Sequence, residues 1–245
     1  MTWTELHFHL LPGVDDGPGT MEESLELAGA AVRDGTRTVM VTPHVHPDLI
    51  TDPSDIPERT RELAARLARA RVKLDVRPGG ELAHEMVERL SDRQLELIAQ
   101  GPSGRRWLLL EAPFSGLDGS YTEAADELRE RGFAVVVAHP ERAEPTRQTA
   151  DVLRHELAMG SALQLNCWSL AGLNGERARS SALRLLHSPR VVIASDAHGI
   201  ERPPAMGLGL DAARGAGHRQ PERLAGEGPA GLLDQGLAVI QPSLR

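Results

Sequence analysis

Short apolar runs, β-branched or leucine-rich, alternate along this chain with longer stretches whose apolar positions recur at helical spacing. That alternation predicts βα units around a parallel sheet. Seven runs read as strands, at about 4–9, 37–42, 73–78, 107–111, 133–138, 161–166 and 190–195. Phe133-Ala134-Val135-Val136-Val137 and Val191-Val192-Ile193-Ala194 are apolar on both faces, as strands buried beneath helices should be. Between the runs, Thr20-Met21-Glu22-Glu23 has the form of a capping box, with Leu25, Ala28 and Val32 following at helical spacing until Gly35. Residues 57–71 open with Pro57 and place Leu63, Leu67 and Ala70 on one side; segments 121–131, 147–159 and 176–187 repeat the design. Residues 84–99 read as one broken helix or two short ones. From Gly199 to Pro229 the chain is rich in Gly, Pro and Ala, which predicts loop with one short helix near 205–215. No linker stands out, so the expectation is one α/β domain over 1–245 with a partly irregular segment at 199–245.

The length of 245 residues suits that reading, since single α/β barrels commonly reach about 250. With 40% hydrophobic but only 3% aromatic residues, the core must be built from Leu, Val, Ala and Ile. A net charge of −8 disfavours nucleic acid as a partner. The single cysteine, Cys167, excludes an internal disulfide and any all-thiolate metal site. The first residues lack a basic segment followed by an apolar core, and no apolar stretch approaches the ~20 residues that span a bilayer. A cytoplasmic protein without a membrane span is therefore expected.

The chemistry sits at the ends of the runs. His7 and His9 close the first; residues two apart in a strand point to one side, so this pair can chelate one cation. Thr42-Pro43-His44, Gly80-Glu81, Leu110-Glu111, Ala138-His139 and Ser195-Asp196-Ala197-His198 close five others. Barrel active sites gather at the C-terminal ends of strands, whereas chance would scatter such residues over helices as well. Imidazole and carboxylate without thiolate suit Mn, Fe or Zn. The candidate ligands His7, His9, Asp16, His44, Glu81, Glu111, His139, Asp196 and His198 exceed what one ion uses, so two or three ions fit better, with Glu81 able to bridge a pair. Closely spaced cations clamp the oxygens of a phosphoryl centre and acidify a bridging water to hydroxide. A phosphate-ester hydrolase follows from that chemistry.

The opening His7-Phe8-His9-Leu10-Leu11-Pro12-Gly13-Val14-Asp15-Asp16-Gly17 is followed in order by Thr42-Pro43-His44, Glu81, Glu111, Ala138-His139-Pro140-Glu141-Arg142, Ser195-Asp196-Ala197-His198 and Arg202-Pro203-Pro204. This set resembles the PHP (polymerase and histidinol phosphatase) superfamily. More narrowly, it is similar to the bacterial manganese-dependent protein-tyrosine phosphatases that regulate capsule and exopolysaccharide export. The resemblance implies a distorted seven-stranded parallel (βα) barrel with a trinuclear centre, holding Mn²⁺ first, with Fe or Zn as alternatives. It implies a first ion on His7, His9, Glu81 and Asp196, a second on Glu81, Glu111 and His139, and a third on Asp16, His44 and His198. Arg142 and Arg202 match the family's two phosphate-binding arginines; a guanidinium fork suits phosphoryl oxygens and the charge that builds on them. The substrate implied is a phosphotyrosine-bearing protein or peptide, such as a bacterial tyrosine kinase tail. A small-molecule phosphatase of the histidinol-phosphate kind shares the same cluster, and a non-catalytic metal-binding scaffold is the reading of another class. Oligomeric state and any general acid are left open.

Some positions carry less. The family usually has Asp where this chain has Glu5, from which only small geometric effects are expected. Asp15 competes with Asp16 and reads as a turn or helix cap; His46 reads as a loop residue that could touch substrate, and Asn166 as a polar contact to it. A cysteine-dependent phosphatase needs Arg six residues past its Cys, where this chain has Leu173. His84, His155, His187 and His218 read as surface residues, and the segment beyond Pro204 aligns with nothing in the family.

Overall fold

Among the described residues nine strand segments carry the fold: β1 (Trp3–Phe8), β2 (Thr36–Val41), β3 (His44–Val45), β4 (Asp75–Pro78), β5 (Glu81–Leu82), β6 (Trp107–Glu111), β7 (Ala134–Ala138), β8 (Ala162–Asn166) and β9 (Val191–Ala194). The structure is a computed structural model describing residues 2–242. All strand pairs are parallel, in a three-stranded sheet β1-β2-β4 and a six-stranded sheet β3-β5-β6-β7-β8-β9. Every expected run is present to within two residues at each end, and two of them continue after a short break into further segments, β3 and β5, that lie beyond the expected runs. Pro43 has no N–H to give a ladder and restricts Thr42 before it, so the second run breaks between β2 and β3. The third breaks at Gly79-Gly80, where a Cβ on Gly79 would lie 2.6 Å from Met40 Cγ. At each break the strand passes from the small sheet to the large one. The chain is thus α/β with parallel sheets, divided three and six where seven continuous strands were expected. The far edges also meet: Phe8 bridges Ala197 in parallel, and the Asp196 N–H donates to the His7 carbonyl at 3.1 Å.

Helices fill the gaps as the spacing predicts, at Met21–Arg33, Ile56–Arg69, Gly119–Glu130, Arg147–Ala158 and Glu176–Leu185. The capping box forms, with Thr20 and Glu23 each satisfying the other's backbone. Residues 84–99 resolve into a 3₁₀ turn, His84–Arg89, and a short helix, Asp92–Ile98. Alternation along the strands separates two apolar clusters. Leu108, Leu110, Val135 and Val137 pack beneath the helices, while Leu109, Val136 and Met40 face the other way with Leu232, Leu233 and Leu237.

That second cluster corrects the expectation for the C-terminal segment. Beyond the expected helix, found at Met206–Gly215, it forms helices Pro221–Ala225 and Glu227–Gln235. Gly228, Pro229 and Gly231 are poor helix formers, so nothing local announces the last helix. Burial of its leucines does, and the Trp107 Nε1–H donates to the Leu232 carbonyl at 2.8 Å.

Candidate active site

Seven of the nine predicted ligands stand at a strand's C-terminal end or in the loop after it, His44 and Glu81 open the short strands β3 and β5, and the structure brings all nine together. His7 and His9 are fully buried at the end of β1. Glu81 is the hub. Its Oε2 lies 3.1 Å from His7 Nε2, 3.3 Å from His9 Nε2 and 3.0 Å from His44 Nδ1, and its Oε1 lies 2.7 Å from His139 Nε2. Asp196 Oδ1 approaches the same two nitrogens, at 3.2 Å from His7 and 3.5 Å from His9. At the mouth, Asp16 Oδ1 lies 3.4 Å from His44 Nε2 and 3.2 Å from His198 Nε2. Glu111 Oε2 is 4.0 Å from His44 Nδ1. His139 and Asp196 both adopt left-handed backbone, with φ of 33° and 51°. For residues other than glycine that is strain of order 1 kcal/mol or more, typical of sites where a side chain must be aimed.

The surroundings fix which nitrogens face the centre. Gln164 Oε1 accepts the backbone N–H of His139, so it is an acceptor, and His7 Nδ1 at 2.8 Å must donate to it. His9 Nδ1 donates to Asp15 Oδ2 at 2.7 Å. In the neutral rings both Nε2 atoms would carry lone pairs facing one another across 3.2 Å and the carboxylates beyond. Lone pairs packed this closely repel unless a cation lies among them. Among the described residues, no partner forms a hydrogen bond of good geometry with the buried Glu81 Oε2 or His139 Nδ1.

Electrostatics point the same way. Burial opposes charge on His7, yet Glu81 and Asp196 outweigh it and raise its pKa to about 9. Burial also pushes against ionisation of Glu81 and Asp196, but the imidazoles, with Arg202 for Asp196, hold both carboxyls below the usual range. Glu111 is pushed up by burial and by Glu81. Carboxylates that hold protons on buried imidazoles would accept divalent ions in exchange for those protons. Four overlapping donor groups are close enough for ions: His9, Asp16, His44 and His198; His7, His9 and Glu81; His7, His139 and Asp196; His44, Glu81 and Glu111. The residues fit a multinuclear oxygen–nitrogen centre.

Both arginines reach it. Arg142 Nη1 donates to Asp196 Oδ2 at 3.2 Å, and Arg202 contacts the His198 ring, with Nη2 3.6 Å from Asp196 Oδ1. A cavity of about 320 Å³ opens over the cluster, lined by both arginines and six of the nine candidate ligands. His46 lines it too, whereas His84, His155, His187 and His218 do not. A separate apolar cavity of about 370 Å³, between helices Arg147–Ala158 and Glu176–Leu185, shares none of these residues.

Three supporting residues were undervalued from sequence. Asp15 caps its turn by accepting the Gly17 N–H at 3.0 Å, but it also holds the His9 ring and accepts the His44 N–H at 3.1 Å. Asn166 is buried away from the cavity, donating to Asp196 Oδ2 at 2.8 Å and accepting from Gln164 Nε2 at 2.9 Å. Glu5 is fully buried and accepts the Ser195 N–H at 2.7 Å, tying β1 to the loop that carries Asp196; burial raises its pKa to about 7. The Asp15 position beside a His-x-His pair was the available signal. Gln164, in the middle of an apolar strand, offered none beyond its polarity. Cys167 is buried against Met206, and burial pushes its thiol up, consistent with packing and not with nucleophilic use.

Tyrosine-protein phosphatase YwqE of Bacillus subtilis (strain 168) is 33% identical over 201 residues, covering 80% of this chain and 78% of that protein. A crystal structure from work on YwqE of Bacillus subtilis and CpsB of Streptococcus pneumoniae, metal-dependent tyrosine phosphatases, matches with a TM-score of 0.81 at 31% identity, covering 99% of this chain and 100% of the other. The phosphotriesterase homology protein of Escherichia coli shares the fold, with a TM-score of 0.63 at 14% identity over 94% of this chain and 97% of that one. The family model for capsular polysaccharide synthesis, CpsB/CapC, matches residues 3–234, so it runs on past Pro204 through a segment expected to align with nothing, and the chain belongs to that family.

Proposed function

We propose that this protein is a metal-dependent protein-tyrosine phosphatase. The observation that carries the reading is the convergence of nine imidazole and carboxylate ligands, from loops far apart in sequence, beneath two arginines at one cavity. The family resemblance gives three ions, Mn²⁺ foremost: one on His7, His9, Glu81 and Asp196, one on Glu81, Glu111 and His139, and one on Asp16, His44 and His198; the donor groups differ in setting His139 with His7 and Asp196. His44 also stands close enough to Glu81 and Glu111 to take part in the second. Bound divalent ions supply an activated water and offset the charge of a phosphoryl group. The chain's own residues do the rest. Arg142 and Arg202 hold and orient the phosphoryl oxygens, Gln164 and Asp15 keep the lone pairs of His7 and His9 turned inward, and Asn166 steadies Asp196. Counting β2 with β3 and β4 with β5 as single interrupted strands supports a seven-stranded distorted barrel, with the Phe8–Ala197 bridge at its seam. A phosphorylated tail of a tyrosine kinase is a substrate of the fitting kind.

The test is hydrolysis of a phosphotyrosyl peptide by purified protein, stripped with a chelator and then resupplied with Mn²⁺. Activity should vanish on stripping, return with metal, and be abolished by Asp196→Ala. Hydrolysis indifferent to the chelator would falsify the assignment.

A further inference from the structure

Phe114 is a large apolar side chain that neither the donor set nor the core uses: its ring is 52% exposed, yet it lines the ionic cavity. It follows β6 closely, and its carbonyl accepts the Glu144 N–H at 2.9 Å, which ties its loop to the turn bearing Arg142. The Arg142 guanidinium carbon lies 4.3 Å from the Phe114 ring centroid, and the His139 ring centroid lies 5.7 Å from it. Leu49 lines the same cavity and is 47% exposed, at a turn where its N–H donates to the His46 carbonyl at 3.1 Å. The remaining nine lining residues are all carboxylate, imidazole or guanidinium. Single exposed apolar residues are ordinary on a protein surface. Two that share one otherwise ionic cavity, and pack into neither apolar cluster, call for a ligand with an apolar part.

We propose that Phe114 and Leu49 form the slot for the aryl ring of the phosphate ester, Phe114 offering the aromatic surface and Leu49 an aliphatic one. The proposal rests on the phosphatase reading. In an aryl phosphate one oxygen separates phosphorus from the ring, so a phosphoryl group held by Arg142 carries its ring to the side chain that Arg142 covers. Offset or edge-to-face contacts at ring separations of ~4.5–7 Å are favourable there. An aliphatic ester such as phosphoserine has no ring to bring. The slot therefore selects aryl over alkyl phosphates by contact, beyond the lower basicity of the phenolate leaving group.

The test compares Mn²⁺-loaded wild type with Phe114→Ala, Phe114→Tyr and Leu49→Ala. One readout is kcat/KM on the phosphotyrosyl and phosphoseryl forms of one peptide. The other is affinity for phenylphosphonate and methylphosphonate by calorimetry. Phe114→Ala should lower phosphotyrosyl kcat/KM and phenylphosphonate affinity by roughly three- to tenfold, leave the serine ester and methylphosphonate unchanged, and be rescued by Phe114→Tyr. Leu49→Ala, on a separate loop, should shift the same pair in the same direction. Equal losses with aryl and alkyl ligands would mean that Phe114 only props Arg142, and would overturn the slot, as would no change in any measurement. If wild type hydrolyses neither ester, the phosphatase reading falls, while the phosphonate affinities still decide the slot.

Discussion

Asp15 shows how one carboxylate can orient a site without joining its centre. It binds the outer nitrogen of His9 and the backbone of His44, so two ligands from different strands depend on it. Asp15→Ala should lower Mn²⁺ affinity about 10- to 100-fold, the usual cost of losing a partner that orients a ligand, with the circular dichroism spectrum unchanged. Titration calorimetry reads the affinity, and an unaltered value would show that the His9 tautomer is set elsewhere. The candidate ligands were legible because metal chemistry restricts residue type and because six of the expected strand ends carry them. Their supporters were not. Gln164 and Asn166 gain their roles only when β8 is laid beside β7 and the loop after β9, and no local pattern marks a residue that serves a distant side chain.

Among the elements, the seven expected strands were readable because period and apolarity are local properties, and each matches its expected run to within two residues. The two interruptions were not read, although Pro43 and Gly79-Gly80 stand in plain sight: their effect depends on which sheet receives the strand afterwards. Helix packing holds one buried charge that periodicity also hides. Arg129, on helix Gly119–Glu130, is 1% exposed and binds Glu156 of helix Arg147–Ala158 together with Ser161. Arg129→Ala would leave Glu156 buried without its partner, and urea unfolding should show a loss of about 3–5 kcal/mol. Arg129→Met, which fills the space without charge, should cost less only when paired with Glu156→Leu. A loss below 1 kcal/mol in Arg129→Ala would place the stabilising interactions elsewhere.

At the scale of the molecule, the C-terminal helix and the active site share the strands but serve opposite ends of them. Leu232, Leu233 and Leu237 pack on the strand face turned from the outer helices, whereas the ligands gather where the strands finish. Leu233→Ala should therefore cost about 2–5 kcal/mol of stability while leaving kcat of the folded fraction unchanged. Thermal melts and kinetics on the same preparation separate the two, and a fall in kcat at full folding would show that the tail reaches the site. The sequence alone determined the α/β class, the positions of the strands and the candidate metal donors, because side-chain period and ligand chemistry are written residue by residue. Only the tertiary structure decided that Glu81 is the hub, that Asp15 and Gln164 set the imidazole tautomers, and that a glycine-rich tail folds as a helix against the strands. Each of those depends on burial and on distances between segments far apart in the chain, where propensity is silent and packing chooses.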